Sequence, residues 1–140
     1  MADNEKQEIP EQMDNLRKPE NTKFLIKEKI GDMMKYGKPA IRNFPRRERR
    51  TADEIQQCML NLYHYAIILE KKYYKKTTLQ DLDVELAYLK HLIRMAADKD
   101  YYSTGKNPVP PPLSQKQYEV WSKMLAEIGA MVGGYFKYVK

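Results

Sequence analysis

Four arginines close together are the residues whose type and spacing most clearly suggest chemistry in this sequence. These corner arginines stand between residues 44 and 51, directly behind a Phe-Pro pair: Arg46, Arg47, Arg49 and Arg50. A guanidinium group presents a rigid fork of N–H donors that matches the oxygens of phosphates and carboxylates. The cluster is therefore a candidate binding surface for a polyanion. The alternative is a solvated turn whose charges only aid solubility.

Two further groups of basic residues follow along the chain. The lysine cluster crowds the end of a predicted helix and consists of Lys71, Lys72, Lys75 and Lys76. It either binds phosphate or complements the negative end of that helix's dipole. Lys90 and Arg94 stand four residues apart on one flank of the next predicted helix, where they are either solvated or part of an anion-binding surface. With the corner arginines, these residues make up our candidate nucleic-acid contacts.

No pattern in the sequence predicts catalysis. The sequence contains no P-loop, no GxGxxG, no HExxH and no pair of cysteines. His64 and His91 fall on different predicted helices, without the partners that a metal site needs. Cys58 lies in an apolar run without a basic neighbour at helical spacing, which is typical of a core residue. We therefore expect no enzyme activity, no metal and no cofactor.

The net charge of +6 conceals an uneven distribution. Residues 1–20 carry six acidic and three basic residues, a balance of −3, so the remaining 22 basic and 13 acidic residues give the body of the chain +9. The acidic segment has few large apolar side chains, and we expect a flexible tail. A basic body of this kind is compatible with a polyanionic partner such as RNA or DNA.

Length and composition indicate one domain in a reducing compartment. A chain of 140 residues is long enough to bury one core, and a single cysteine excludes an internal disulfide. No apolar run approaches the roughly 20 residues that cross a bilayer, and the first residues do not resemble a secretory signal. We expect a cytoplasmic protein without membrane contact.

Apolar residues at spacings of three and four predict four helices, over about residues 21–44, 51–75, 78–100 and 114–138. A proline-rich loop is predicted over 101–113. Pro39 predicts a bend, or even a break, near residues 35–39. Thr51 opens a T-x-x-E capping box, Thr78 is a candidate N-cap, and Ser114 opens a third box with Gln117. The second helix is expected to bury Tyr73 and to present two contact faces.

These elements predict an all-α, up-down-up-down four-helix bundle, since two of the three connections are short and no strand-like alternation competes.

The last helix contains an unusual number of small residues. Each helical glycine costs up to about 1 kcal/mol relative to alanine, so several together call for close approach by another helix or subunit. The predicted oligomer interface comprises Ala126, Gly129, Ala130, Gly133 and Gly134.

Three motifs, taken together in their order, resemble the Avd family, the accessory variability determinants of diversity-generating retroelements. They are Phe-Pro-Arg-x-Glu-Arg at 44–49, the Leu-x-x-Leu-Ile-Arg-Met-Ala run at 89–96, and Glu-Ile-Gly-Ala-Met-Val-Gly-Gly-Tyr at 127–135. The resemblance covers about residues 24–138. The same superfamily includes four-helix proteins encoded in intervening sequences of bacterial 23S ribosomal RNA genes.

The resemblance implies a ring-like homopentamer of four-helix bundles that binds nucleic acid and the retroelement reverse transcriptase during mutagenic copying of a template RNA. Its basic motif positions correspond to Arg46, Arg49 and Arg94. Arg50 replaces a usual aromatic, and Ala130 stands where the family often has arginine, which removes one basic contact. The alternative function is that of the ribosomal intervening-sequence proteins, whose role is unsettled and could include RNA binding.

Overall fold

The structure, a computed structural model, describes residues 19–139, with side chains from residue 21 onward. The expected acidic tail lies almost entirely outside these residues. The helices are α1 (Pro19–Arg42), α2 (Arg49–Lys71), α3 (Lys76–Ala96), the short α4 (Lys99–Tyr102) and α5 (Gln115–Tyr135). A 3₁₀ turn (Arg46–Glu48) precedes α2, and no strand occurs within residues 19–139.

The four long helices form a closed bundle in which α1 and α3 each pack against both α2 and α5. Neighbouring helices run antiparallel. Lys27, early in α1, contacts Glu70 at the end of α2, and Leu113, just before α5, bonds to Ala96 at the end of α3. The observed directions agree with the predicted up-down-up-down bundle.

Because neighbouring helices run in opposite directions, the helix termini and connections lie at two opposite ends of the bundle. The corner end holds the 3₁₀ turn, α4 and the first turns of α2 and α5. The basal end holds the 72–75 connection, the first turns of α1 and α3, and the last turns of α2 and α5. Because a helix rises about 1.5 Å per residue, the two ends of α2 are about 33 Å apart.

Most of the core comes from the predicted seams. Every seam residue of α3 is buried: Leu79, Leu82, Leu86, Leu89, Ile93 and Ala96. Trp121 of α5 lies at the centre, fully buried, with its ring edge-on to Tyr36 at 6.3 Å between centroids. Gly37 completes this crossing, because a Cβ at that position would lie 2.6 Å from Cζ2 of Trp121. The seams thus determine which faces meet, and Gly37 sets how closely α1 approaches α5.

Pro39 does not break α1, which continues as one helix to Arg42. The residue is exposed near the end of the helix. The carbonyl that loses its intrahelical partner is therefore near solvent, which limits the cost of the proline. The alternative of a break into two helices is therefore wrong, and one helix occupies this stretch as predicted.

Two predicted helix starts were also wrong. α2 begins at Arg49, before Thr51, and Glu48 precedes it without a side-chain cap. α3 begins at Lys76, and Thr78 is buried within its first turn. Ser114 was predicted correctly, because its side chain accepts from the Gln117 N–H while Gln117 bonds back to the Ser114 N–H.

α2 also ends earlier than predicted. It stops at Lys71, and Lys72 adopts extended geometry with φ −83° and ψ 147°. Continuing the helix would place Lys71 beside Lys75 and Lys72 beside Lys76, and like charges four residues apart destabilise a helix. Tyr73 consequently lies outside the helix and is 88% exposed, contrary to the predicted burial.

The proline-rich segment is tied to the bundle. Its first two residues, Tyr101 and Tyr102, complete α4, the Val109 N–H donates to the Tyr102 carbonyl at 3.1 Å, and Leu113 is buried. Among residues 19–139, no helix is both long and apolar enough to cross a membrane.

Candidate nucleic-acid interface

The corner arginines all lie exposed at the corner end of the bundle. Pro45, with φ −65° and ψ 159°, directs the chain into the 3₁₀ turn that carries Arg46 and Arg47. Arg49 and Arg50 then form the start of α2. The tight connection therefore concentrates these guanidinium groups at one end of the molecule.

The one acidic residue inside the corner is held by a tyrosine. The Tyr102 hydroxyl donates to Oε1 of Glu48 at 2.5 Å. Burial and this bond raise the pKa of Tyr102 above its usual range, so the phenol remains a neutral donor. The contact fastens α4 to the corner and gives the Glu48 carboxylate a partner other than the arginines around it.

Arg94 lies at the same end as the corner arginines but on another side of the bundle. With Asp98, Lys99 and Gln115 it lines a surface hollow of about 460 Å³ between α3 and the start of α5. Arg50 lines a different groove on the α2 side of α3. Arg94 and the corner arginines therefore share one end of the bundle without forming a single pocket.

Lys90 stands one helical turn further from the corner end than Arg94, on the flank of α3 that faces α5. A Cβ added at Gly129 would lie 3.1 Å from Nζ of Lys90. The glycine thus leaves room for the lysine side chain to lie across α5. The structure confirms the predicted common flank for Lys90 and Arg94, which are both exposed.

The lysine cluster lies at the basal end, about 33 Å along α2 from the corner arginines. Lys71, Lys72 and Lys76 are exposed, whereas Lys75 is half-buried and donates to the Tyr135 hydroxyl at 3.4 Å. The predicted contacts are therefore split between two ends and do not form one continuous site. The alternating helix directions inferred from the sequence already imply this separation.

Lys23 is a basal residue that sequence reasoning missed. Burial first, and then the neighbouring Lys75 ammonium, lower its pKa. Two ammonium groups brought close together repel each other, and a bound anion relieves that repulsion. The early position of Lys23 in α1 and the antiparallel pairing with α2 could have indicated this neighbour.

None of the ten predicted contacts forms an ion pair within the described part of the chain. The ion pairs found there are Lys27–Glu70 at 2.9 Å, Lys29–Glu127 at 3.6 Å and Lys35–Asp32 at 3.8 Å. The carboxylates therefore neutralise lysines of α1, and the basic residues at both ends keep their charge available for an external anion.

The remaining chemistry-bearing side chains do not assemble into a site. No group of three or more His, Cys, Asp or Glu residues within 19–139 could hold a metal ion. Cys58 is buried, and its Sγ donates to the Glu85 carbonyl at 3.4 Å. Burial raises the pKa of this thiol well above its ordinary range, which keeps it protonated.

The small residues of α5 mostly face outward. Ala126, Ala130, Gly133 and Gly134 are exposed, and a Cβ added at Gly133 or Gly134 would meet no atom within 4 Å. Only Gly129 faces a neighbour within the chain. Packing within one chain therefore explains Gly129 but not the two later glycines.

The sequence matches the family model described as bAvd-like over residues 24–139. This range includes nearly all of the four-helix bundle and both basic ends. The chain belongs to the bAvd-like family. The resemblance inferred from the sequence motifs is thereby confirmed, and membership suggests an Avd accessory protein of a diversity-generating retroelement. No curated protein matches this bAvd-like chain.

Proposed function

We propose that this bAvd-like protein is a non-enzymatic, cytoplasmic accessory protein of a diversity-generating retroelement. It binds template RNA or the cDNA copied from it, and it binds the retroelement reverse transcriptase to support mutagenic retrohoming. Family membership is the observation that carries the proposal. The matching family is the Avd-like one, which favours this role over that of the ribosomal intervening-sequence proteins.

The charge distribution supports the nucleic-acid part of this proposal. Lysines and arginines that neutralise phosphates release condensed counterions, which favours binding at low salt. The ten candidate residues stand at helix ends, on flanks and in a connection, and no helix presents them as a row that could enter a groove. We therefore expect affinity for the phosphate backbone with little sequence preference.

The arginines of the corner end provide a direct test. We expect the triple substitution of Arg46, Arg49 and Arg94 to Ala to weaken binding of a short duplex. The magnitude of the salt slope, d log K/d log[salt], should fall by about 0.9 for each phosphate that is no longer neutralised. Fluorescence anisotropy between about 50 and 200 mM salt, a range over which several phosphate contacts change affinity by orders of magnitude, measures both quantities.

A matched control removes the same net charge elsewhere. Lys29, Lys35 and Lys38 are exposed on α1, and two of them already pair with acids. Their triple Ala variant should change the salt slope little. Equal slopes in the two variants would show that only net charge matters and would contradict a corner interface. Unfolding of the arginine variant, seen by circular dichroism, would show that these arginines are structural.

We further propose that the chain assembles into a homopentamer through the small residues of α5. The outward Ala126, Ala130, Gly133 and Gly134, together with the adjacent Gly129, would let a neighbouring helix approach the backbone closely. The second face predicted for α2 supports such contacts, because Leu60 and Ile67 are both exposed. A ring would bring several copies of each basic end together and strengthen their field.

A further inference from the structure

The basal connection carries two adjacent tyrosines that are largely exposed and contact each other. Tyr73 is 88% exposed and Tyr74 is 75% exposed. Their rings meet edge to face, with centroids 5.0 Å apart and planes at 88°. Neither ring joins the aromatic side chains that pack against the core. Two large aromatic faces therefore remain open to an outside partner.

The other edge-to-face tyrosine pair in the described part of the chain provides a comparison. Tyr101 and Tyr102 have nearly the same geometry, with centroids 5.1 Å apart and planes at 84°. Tyr102 is half-buried and holds Glu48, so that pair fastens α4 to the corner. No such internal bond or burial accounts for Tyr73 and Tyr74.

The basal connection is short and fixed at both ends. The Lys72 N–H donates to the Ile68 carbonyl at 2.9 Å, and the Leu79 N–H donates to the Lys75 carbonyl at 2.8 Å. Only residues 72–75 lie between the two helices. The tyrosine backbone is therefore held by α2 and α3, which reduces the entropy cost when a ligand orders the rings.

The charged residues of the segment that carries the tyrosines, residues 71–80, are all lysines. No acidic residue occurs between Glu70 and Asp81, and Glu70 is already paired with Lys27 at 2.9 Å. The dipole of α2 favours Lys71 in its last turn, but the dipole of α3 disfavours Lys76 at its first position. Helix stability therefore explains only part of this lysine cluster.

A place for an anion lies beside the rings. Lys75 reaches across to the Tyr135 hydroxyl. Lys23 of α1 is a neighbour of Lys75, since burial first and then the Lys75 ammonium lower the pKa of Lys23. Two neighbouring ammonium groups can together contact the oxygens of one phosphate group. The basal end thus offers aromatic faces next to phosphate-binding groups.

We propose that the basal connection is a binding site for single-stranded nucleic acid, in which Tyr73 and Tyr74 stack on unpaired bases and the surrounding lysines hold the phosphates. The inference rests on the proposed nucleic-acid function and assigns it a site. A base inside a duplex has both faces covered by its neighbours, so an exposed tyrosine face selects unpaired bases. Aromatic platforms combined with basic residues are the usual means of binding single strands without sequence preference.

The test compares a fluorescein-labelled U12 RNA, the corresponding T12 DNA and a duplex of about the same length, by anisotropy against the full chain. We expect the double variant Tyr73→Ala/Tyr74→Ala to raise Kd for both single strands by about 10-fold or more, while Kd for the duplex changes less than about 2-fold. The salt slope should stay at the wild-type value, since every lysine that faces a phosphate is retained. Tyr73→Phe/Tyr74→Phe keeps the aromatic faces and should retain wild-type affinity.

A matched control and a charge variant separate stacking from other causes. Tyr88→Ala removes a tyrosine that is also exposed but lies away from the basal connection, in the groove that Arg50 lines, and should not change the selectivity for single strands over the duplex. Lys72→Ala/Lys76→Ala should lower the magnitude of the single-strand salt slope, by about 0.7 for each phosphate that is no longer neutralised. A larger effect of the tyrosine variant on RNA than on DNA, or the reverse, supports the site and identifies the preferred strand.

The outcomes also separate this inference from the function on which it rests. Wild-type binding to none of the three probes at low salt would overturn the nucleic-acid function itself. If Tyr73→Ala/Tyr74→Ala left every Kd at the wild-type value, the stacking site would be overturned and the wider function would stand. The same conclusion would follow if this variant weakened binding of the duplex and of the single strands equally. Reduced affinity in the Phe variant would show that hydroxyl groups, rather than aromatic faces, bind the strand.

Discussion

Gly37 allows us to predict how strongly the crossing of α1 and α5 depends on one missing methyl group. A Cβ at this position would lie 2.6 Å from Trp121 Cζ2 and 2.7 Å from Met59 Sδ, whereas carbon atoms pack best at about 3.5–4.0 Å. Trp121 is fully buried and has no room to withdraw. We expect this overlap to cost about 1–3 kcal/mol.

Gly31 provides the control, because it lies in the same helix and its added Cβ would meet only Tyr63 Cε1, at an ordinary 3.8 Å. Both Gly→Ala changes gain about 1 kcal/mol from helix propensity. Gly31→Ala should therefore stabilise the bundle by up to about that amount. Gly37→Ala should be less stable than Gly31→Ala by the steric cost of about 1–3 kcal/mol.

Urea unfolding followed by the fluorescence of Trp121, the single tryptophan, measures both free energies. Because the propensity gain is common to both variants, the difference between them reports the crossing alone. If Gly37→Ala were as stable as Gly31→Ala, the close approach of α1 to Trp121 would be refuted, and with it our explanation of why a glycine stands on the buried face of α1.

Three further expectations follow from the interactions described above. Burial raises the pKa of Cys58 in the folded state, so only the unfolded chain loses this proton above about pH 8.5. The free energy of unfolding should therefore fall as the pH rises above that value. Urea titrations of Cys58→Ala should show a smaller fall up to about pH 10. Tyr102→Phe removes the bond to Glu48 and should lower thermal stability by about 1 kcal/mol; an unchanged melting temperature would show that the bond contributes nothing. Gly133→Leu fits the isolated bundle, since no atom lies within 4 Å of a Cβ there; light scattering should show a smaller assembly with unchanged helix content, and an unchanged mass would exclude this face as the interface.

The helix seams could be predicted because burial imposes a period of three and four on each helix. Leu86 and Leu89 of α3, like Trp121 of α5, are buried as their spacing indicates. Helix ends were harder to predict. Thr51 and Thr78 have the residue type of an N-cap but lie inside helices, because α2 and α3 begin earlier than the local pattern suggests. A capping motif shows where a helix could start, and tertiary packing decides whether it does.

The composition of the candidate site and the separation of its two ends were predictable, but the local contacts at each end were not. Arginine and lysine clusters can be read from the sequence, but whether they converge depends on which end of the bundle each occupies. Residues 46–50 stand at the start of α2 and residues 71–76 at its end, so the length of α2 places the two groups at opposite ends of the bundle. The exposure of Tyr73 depends on where α2 stops and could not be derived from periodicity.

The most direct test of the central claim is co-purification of this protein with the reverse transcriptase encoded nearest to its gene, at moderate salt and with nuclease treatment. We predict a complex that withstands the nuclease, together with nucleic acid recovered from the untreated sample. Absence of any complex before and after treatment, with both proteins folded, would contradict an accessory role in a retroelement. A complex that disappears with nuclease would contradict direct binding to the reverse transcriptase and leave nucleic acid as the only link between them.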